Sequence, residues 1–235
     1  MTPGTSGSRD RLQTSTRFGL LPFARTVALF AFTAGLAACS GSFFESDLPV
    51  PTRYVISAPP AAESATSSLA SQVDLAIGRP DVGPGLDSER IAVLRGHELD
   101  YYRGALWGGT VIETVQTFMV SALQDQKRFR SVAPEQARIA GDYLLDIEVR
   151  DFQAEYAKPA EVPVAHVTLV CRLIRISDRK MVDTISATAS QRASENRLTA
   201  VAGAFETVMR QISLELSAKA ADLVNQDRGQ QAPRS

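Results

Sequence analysis

Two cysteines, two histidines and one tryptophan in 235 residues leave this chain little of the usual chemistry of active sites. His97 and His166 lie far apart in sequence. None of the patterns HExxH, GxxxxGK[ST], GxGxxG or CxxC occurs, so the zinc, phosphate, dinucleotide and dithiol motifs are all missing. Only Cys39 and Cys171 are present, too few for a disulfide framework. No run of Lys and Arg forms a basic patch, which argues against nucleic-acid binding. No apolar stretch approaches the ~20 residues needed to span a bilayer as a helix. The residues therefore name no reaction, metal or cofactor, and the expectation is a protein without a catalytic, cofactor or metal site.

What is present starts at the N-terminus. Arg9, Arg11, Arg17 and Arg25 precede the apolar run Thr26–Ala34 (TVALFAFTA), and small residues follow. That order is the one of an export signal. It ends in Leu36-Ala37-Ala38-Cys39, which resembles the lipobox of bacterial lipoproteins. The resemblance implies cleavage before Cys39, a diacylglycerol on its thiol and acylation of the new amino group. Two or more acyl chains hold a protein on a bilayer stably, whereas one binds only marginally. The remaining 197 residues suit one domain and a tether. Four of the 25 basic and one of the 26 acidic residues precede Cys39, so the remainder carries 21 positive and 25 negative charges, net −4.

Past the cysteine, Ser40–Thr52 lacks periodicity and reads as a tether reaching roughly 20 Å as a flexible coil. A short β-prone segment, Arg53–Ser57, precedes an Ala/Ser/Pro-rich linker over residues 58–72. From Val73 the pattern is regular. Val73, Leu75 and Ile77 alternate as a half-buried strand, and Arg90–Arg95 and Glu98–Tyr102 read as two more, joined at Gly96-His97. Thr110-Val111-Ile112-Glu113 has the form of a capping box, and the stripe Val111, Val115, Phe118, Met119, Ala122 predicts a helix to about Lys127. A short β-prone Arg130–Val132 follows. Tyr143–Arg150 alternates with one wet face, and Val164–Ile176 with Met181–Gln191 forms a hairpin. Val201, Phe205, Val208, Ile212, Leu216 and Leu223 predict a second helix over 197–225, ahead of a polar, disordered tail over 226–235. The expected fold is α+β: a single domain over 73–225, mostly an antiparallel sheet with two amphipathic helices packed on one face.

Three groups of residues could be mistaken for sites. Cys171 lies in an apolar run and reads as a small buried hydrophobe. Asp142, Asp146, Glu148 and Asp151 fit a solvated strand face and lack the glycine-centred loop of a calcium hand. Tyr101, Tyr102 and Trp107 sit where a strand enters a helix, a usual place for core packing.

These stretches carry a resemblance. Leu75-Ala76-Ile77-Gly78-Arg79-Pro80 and Pro84-Gly85-Leu86-Asp87-Ser88-Glu89-Arg90-Ile91-Ala92-Val93 are similar to the ABC-type transport auxiliary lipoproteins. So are Leu99-Asp100-Tyr101-Tyr102, Trp107, the stripe from Val111 to Leu123, the pair Phe129 and Val132, and the early Tyr54-Val55-Ile56-Ser57. Gly108-Gly109 departs from the acidic residue and proline that the family commonly has after the tryptophan. The resemblance implies a non-enzymatic accessory of an ABC system that moves phospholipid or other hydrophobic molecules across the bacterial envelope. Its implied partners are the membrane, through lipidated Cys39, and a periplasmic protein with mammalian-cell-entry domains. Self-association stays open. Ser40 after Cys39, where an aspartate would retain a lipoprotein at the inner membrane, points to the inner leaflet of the outer membrane. The alternative is a structural or assembly lipoprotein of another envelope complex.

Overall fold

Strand β7 (Tyr143–Glu155) is the spine of the fold. The computed structural model describes residues 50–58, 69–137, 141–158 and 161–231. Along one side of β7 lies β8 (Val164–Arg175), antiparallel over its whole length, and β8 pairs in turn with β9 (Lys180–Arg192). Along the other side the chain lays down β2 (Asp74–Ile77), β3 (Asp81–Val82) and β4 (Arg90–Arg95), all parallel to β7. Their partners advance from Tyr143 through Glu148 to Gln153, so residues 74–95 behave as one long strand interrupted twice. The interruptions fall at Gly78–Pro80 and Gly83–Glu89, where proline and glycine break the ladder. Beyond β4 lie β5 (Glu98–Trp107), antiparallel to it, and β1 (Thr52–Tyr54), parallel to β5; β6 (Ser131–Pro134) is parallel to β2.

Helix α1 (Val111–Asp125) carries the chain across the sheet from β5 to β6, which lies beside β2. Thr110 caps its start: the Thr110 hydroxyl accepts from the Glu113 N–H at 3.2 Å, and the Glu113 carboxylate accepts from the Thr110 N–H at 2.9 Å. The helix ends at Asp125, two residues before the expected Lys127, because Lys127 takes a left-handed conformation with φ 52°. The second helix, α2 (Leu198–Gln231), packs on β8, β9 and α1, so both helices cover one face of the sheet. The expected α+β class is the observed one, with the longest pairings antiparallel and the shorter ones along β7 parallel.

Two strands run further than their alternation suggests, for one physical reason. A bulge between Val149 and Asp151 shifts the register of β7, so the buried set Tyr143, Leu145, Ile147, Val149 continues as Phe152 and Ala154. The period-2 pattern breaks at Arg150 while the strand does not. In β5 the pairing with β4 is irregular between Ala92 and Arg90, and Gly104 sits at φ 66° within the same stretch. That carries the strand past Tyr102 to Trp107.

Two expected boundaries move. Residues 226–231, which the sequence predicts as part of a polar, disordered tail, continue α2, because Asp227 is buried against β7 and β8. The domain was expected to begin at Val73, yet β1 is already part of the sheet, Ile56 is buried, and the turn Leu69–Gln72 sits on α2 through a hydrogen bond from the Ala70 N–H to Asn225 Oδ1 at 2.8 Å. The signal segment, Cys39, the tether to residue 49 and linker residues 59–68 lie outside the described residues.

Candidate functional site

The strand-to-helix junction is where sequence and structure put the most specific packing. Trp107 ends β5 fully buried. Its ring meets Phe152 edge-on at 5.7 Å and Phe205 at 5.2 Å, while Phe152 and Phe205 stack at 4.9 Å. Such aromatic pairs contribute about 0.5–1.5 kcal/mol each beyond their buried area. The cluster joins β5, β7 and α2, residues 45 to 98 positions apart in sequence from Trp107. Trp107 and its neighbours thus serve the core, and among them no ring is open to stack a ligand.

The two tyrosines do different work. The Tyr101 hydroxyl donates to the Gly85 carbonyl at 2.7 Å, and the Arg90 guanidinium lies 3.7 Å over its ring. Gly85 takes φ 83°, a conformation that L side chains rarely adopt, and a Cβ there would also stand 2.7 Å from Leu99 Cδ2. The Tyr102 hydroxyl bonds Tyr156 at 2.9 Å, and Tyr156 donates to Asn196 Oδ1 at 2.8 Å. Burial, then the Tyr156 hydrogen bond, raises the Tyr102 phenol well above the ordinary tyrosine value.

Gly108 and Gly109 fill the place of the acidic residue and proline. The Gly108 N–H donates to the Tyr54 carbonyl at 2.8 Å, tying the junction to β1. A Cβ on Gly108 would meet the Val55 side chain at 2.9 Å, and one on Gly109 would meet Glu113 Oε2 at 2.8 Å. The glycines make room for the first strand and for the capping carboxylate. Between them and the two residues that follow β1 lies an open cleft of about 260 Å³, lined by Val55, Ile56, Thr114 and Thr117.

The two histidines stay apart. His97 is exposed in the β4–β5 turn, whereas His166 lies on β8 with β7 between. His166 Nδ1 bonds Ser190 Oγ at 2.7 Å, and Nε2 stands 3.8 Å from Asp151, outside hydrogen-bond reach. The carboxylates of β7 face outward as a wet ladder: Arg172 bonds Asp146 at 3.0 Å and Glu148 at 2.6 Å, and Arg150 reaches Glu148 at 3.0 Å. These arginines hold Glu148 below the usual carboxylate range. Cys171 is buried under the helices, and loss of solvent pushes its thiol up to about 12, which leaves it unreactive. Among the described residues, no three of His, Cys, Asp and Glu are grouped to hold a metal ion.

One polar cluster has almost no local signature in the sequence. Asp227 accepts from Arg175 at 2.7 Å, from the Tyr143 hydroxyl at 2.8 Å and from Gln231 at 2.8 Å, and Arg175 also bonds Asp178 at 2.7 Å. The only trace in the sequence is that Asp227 follows Ala220 and Val224 on the buried stripe of α2.

The comparisons agree with this picture. The family model described as "ABC-type transport auxiliary lipoprotein component" matches residues 54–217. No curated protein sequence matches the chain. Among solved structures, the chain is similar to protein XCC0632 from Xanthomonas campestris, a DUF330 family protein, with 28% identity and a TM-score of 0.67 over 76% of this chain and 99% of that one. It shares its fold with an uncharacterized protein at 9% identity and a TM-score of 0.56, over 73% of this chain and 99% of that one. The match runs from the last residue of β1 into α2 and takes in the aromatic junction, the capping box and strands β2 to β9. The chain belongs to the ABC-type transport auxiliary lipoprotein component family.

Proposed function

We propose that this protein is a non-enzymatic accessory lipoprotein of an ABC system that moves phospholipid or other hydrophobic molecules across the bacterial envelope. The family match over residues 54–217, together with the lipobox-like Leu36–Cys39 at the end of an export signal, carries this reading. Cys39 is acylated and becomes the first residue of the mature chain. The two or more acyl chains fix the domain at the membrane surface, and the side is the inner leaflet of the outer membrane, as Ser40 indicates. The domain binds and positions, and does no bond chemistry. Its well-formed features are packing and surface features: the buried aromatic junction, the wet β7 ladder and the long edge of β9.

The docking partner in this reading is the periplasmic subunit of the transporter, a protein with mammalian-cell-entry domains. Affinity purification of the full chain from detergent-solubilised envelopes tests it. Recovery of that subunit with the permease and ATPase is expected. Recovery of unrelated envelope proteins alone overturns the reading.

A further inference from the structure

The outer edge of β9 has no strand beside it among the described residues. β9 pairs only with β8 among the described residues, and its register runs unbroken from Asp183 to Arg192. The Ala193 N–H donates to the Pro163 carbonyl at 2.9 Å, which fixes the phase of the ladder. Odd-numbered residues of β9 therefore point their backbone groups at β8, and even-numbered ones point theirs outward. The ends of this open edge are closed by the strand's own side chains: Asp183 Oδ1 accepts from the Thr184 N–H at 2.7 Å, and Gln191 Nε2 donates to the Arg192 carbonyl at 3.0 Å. Between these caps, the outward N–H and C=O groups of Ser186, Thr188 and Ser190 have no backbone partner among the described residues.

Edge strands are ordinarily protected by lysines, prolines or bulges. From Thr184 to Gln191 (TISATASQ) there is no charge, no proline and no register shift. Beside the edge, under α2, runs an open groove of about 280 Å³ with Ile185 and Leu223 as its apolar floor and Lys219 and Asp222 on its rim.

We propose that this window receives an extended segment of the periplasmic partner protein, which adds to the sheet as a tenth strand and seats a large apolar side chain opposite Ile185. The proposal rests on the reading of the protein as a transporter accessory. Main-chain groups in this array are satisfied by another strand, and pockets beside them select its side chains. A second copy of this chain fits less well. Two-fold pairing of β9 with itself matches even residues with even and odd with odd. Centred on Ile185, it pairs Ser186 with Thr184, whose N–H Asp183 already holds, and Thr188 with Val182 at the register shift; centred on Ser186, Ala187 or Thr188, it sets Ala187, Ala189 or Gln191 opposite Ile185. Alanine leaves the groove unfilled, and Gln191 is polar and already bonded to Arg192.

Hydrogen exchange of the full lipoprotein, with and without the purified periplasmic subunit of its transporter, tests this. Amides of Ser186, Thr188 and Ser190 are expected to slow at least tenfold on binding, and those of β8 to stay unchanged. Thr188→Pro removes one outward N–H without touching the ladder to β8, and is expected to weaken binding at least tenfold at an unchanged melting temperature. Ser186→Pro is the second variant, used if the first unfolds. Binding without protection of β9 overturns this inference and leaves the proposed function standing. Protection that grows with lipoprotein concentration alone overturns it in favour of a second copy. Absence of binding overturns both.

Discussion

The guanidinium of Arg175, at the end of β8, closes on the carboxylate of Asp227 in the last turns of α2, 2.7 Å away and 52 residues on in sequence. Both side chains are largely out of water, at 13% and 7% exposure. This pair fixes the C-terminal end of the long helix to the start of the spine strand, since Tyr143 of β7 donates to the same carboxylate. Removing the Tyr143 hydroxyl takes away a hydrogen bond to a charged group. Tyr143→Phe is therefore expected to lower the unfolding free energy by about 1.5–3 kcal/mol. Asp227→Ala is expected to cost more, because it strands Tyr143 and Arg175 together. A chain ended at Asn225 should match Asp227→Ala. Urea unfolding monitored by circular dichroism measures all three.

The same cluster sets a pH dependence at both ends. Its hydrogen bonds with Arg175 lower the Asp178 carboxyl to about 2. A lowered carboxyl stabilises the fold above its ordinary value of 3.8, and that contribution is lost as pH falls from there through about 2. Burial and the bond to Asp227 push the Tyr143 phenol up to about 12. A raised phenol stabilises the fold fully below its ordinary value of 10.0, and the contribution disappears as pH rises through about 12. Melting temperature against pH is expected to fall at both extremes. Asp178→Asn should flatten the acid limb and Tyr143→Phe the alkaline one.

At the entry to α1, Gly109 leaves the space that the capping carboxylate of Glu113 occupies. Thr110→Ala is expected to cost about 1 kcal/mol, the usual value for a lost helix cap. Gly109→Ala places a methyl group 2.8 Å from Glu113 Oε2 and displaces it. Its effect should therefore be small alone and absent when Glu113 is already alanine. A double-mutant cycle by chemical denaturation reads this coupling.

The two cysteines are expected to behave oppositely. Cys171 is buried with its thiol pushed up to about 12, so a thiol reagent at neutral pH should label it only after denaturation. Cys39, in the proposed function, carries lipid and offers no free thiol. The N-terminal peptide of protein purified from membranes should begin at Cys39 and carry the mass of a diacylglycerol and an acyl chain. Cys39→Ser should abolish that mass and release the domain from the membrane.

Much of this fold is legible in the sequence, because its strands and helices show the periods that burial imposes. Leu145, Ile147 and Val149 alternate because one face of β7 is covered, and the stripe from Val111 to Ala122 marks the buried side of α1. Reading fails where geometry departs from those periods. The bulge after Val149 flips the buried parity and hides the last third of β7. The parallel pairing of β2, β3 and β4 on a distant strand leaves no local pattern at all. Asp227 looks like a tail residue because its partners, Tyr143 and Arg175, lie 84 and 52 positions away. The open edge of β9 is likewise invisible before the strand order is known. Trp107 and the stripe of α1 are buried as the resemblance implies, whereas Tyr101 and Tyr102 are only partly buried.

Lipid flow in cells tests the central claim most directly. Labelled phospholipid passing between inner- and outer-membrane fractions is compared in strains lacking this lipoprotein, lacking the transporter's ATPase, or lacking both. The account predicts the same deficit in each single deletion and no further loss in the double one. Unchanged flow without the lipoprotein, or deficits that add, would contradict it.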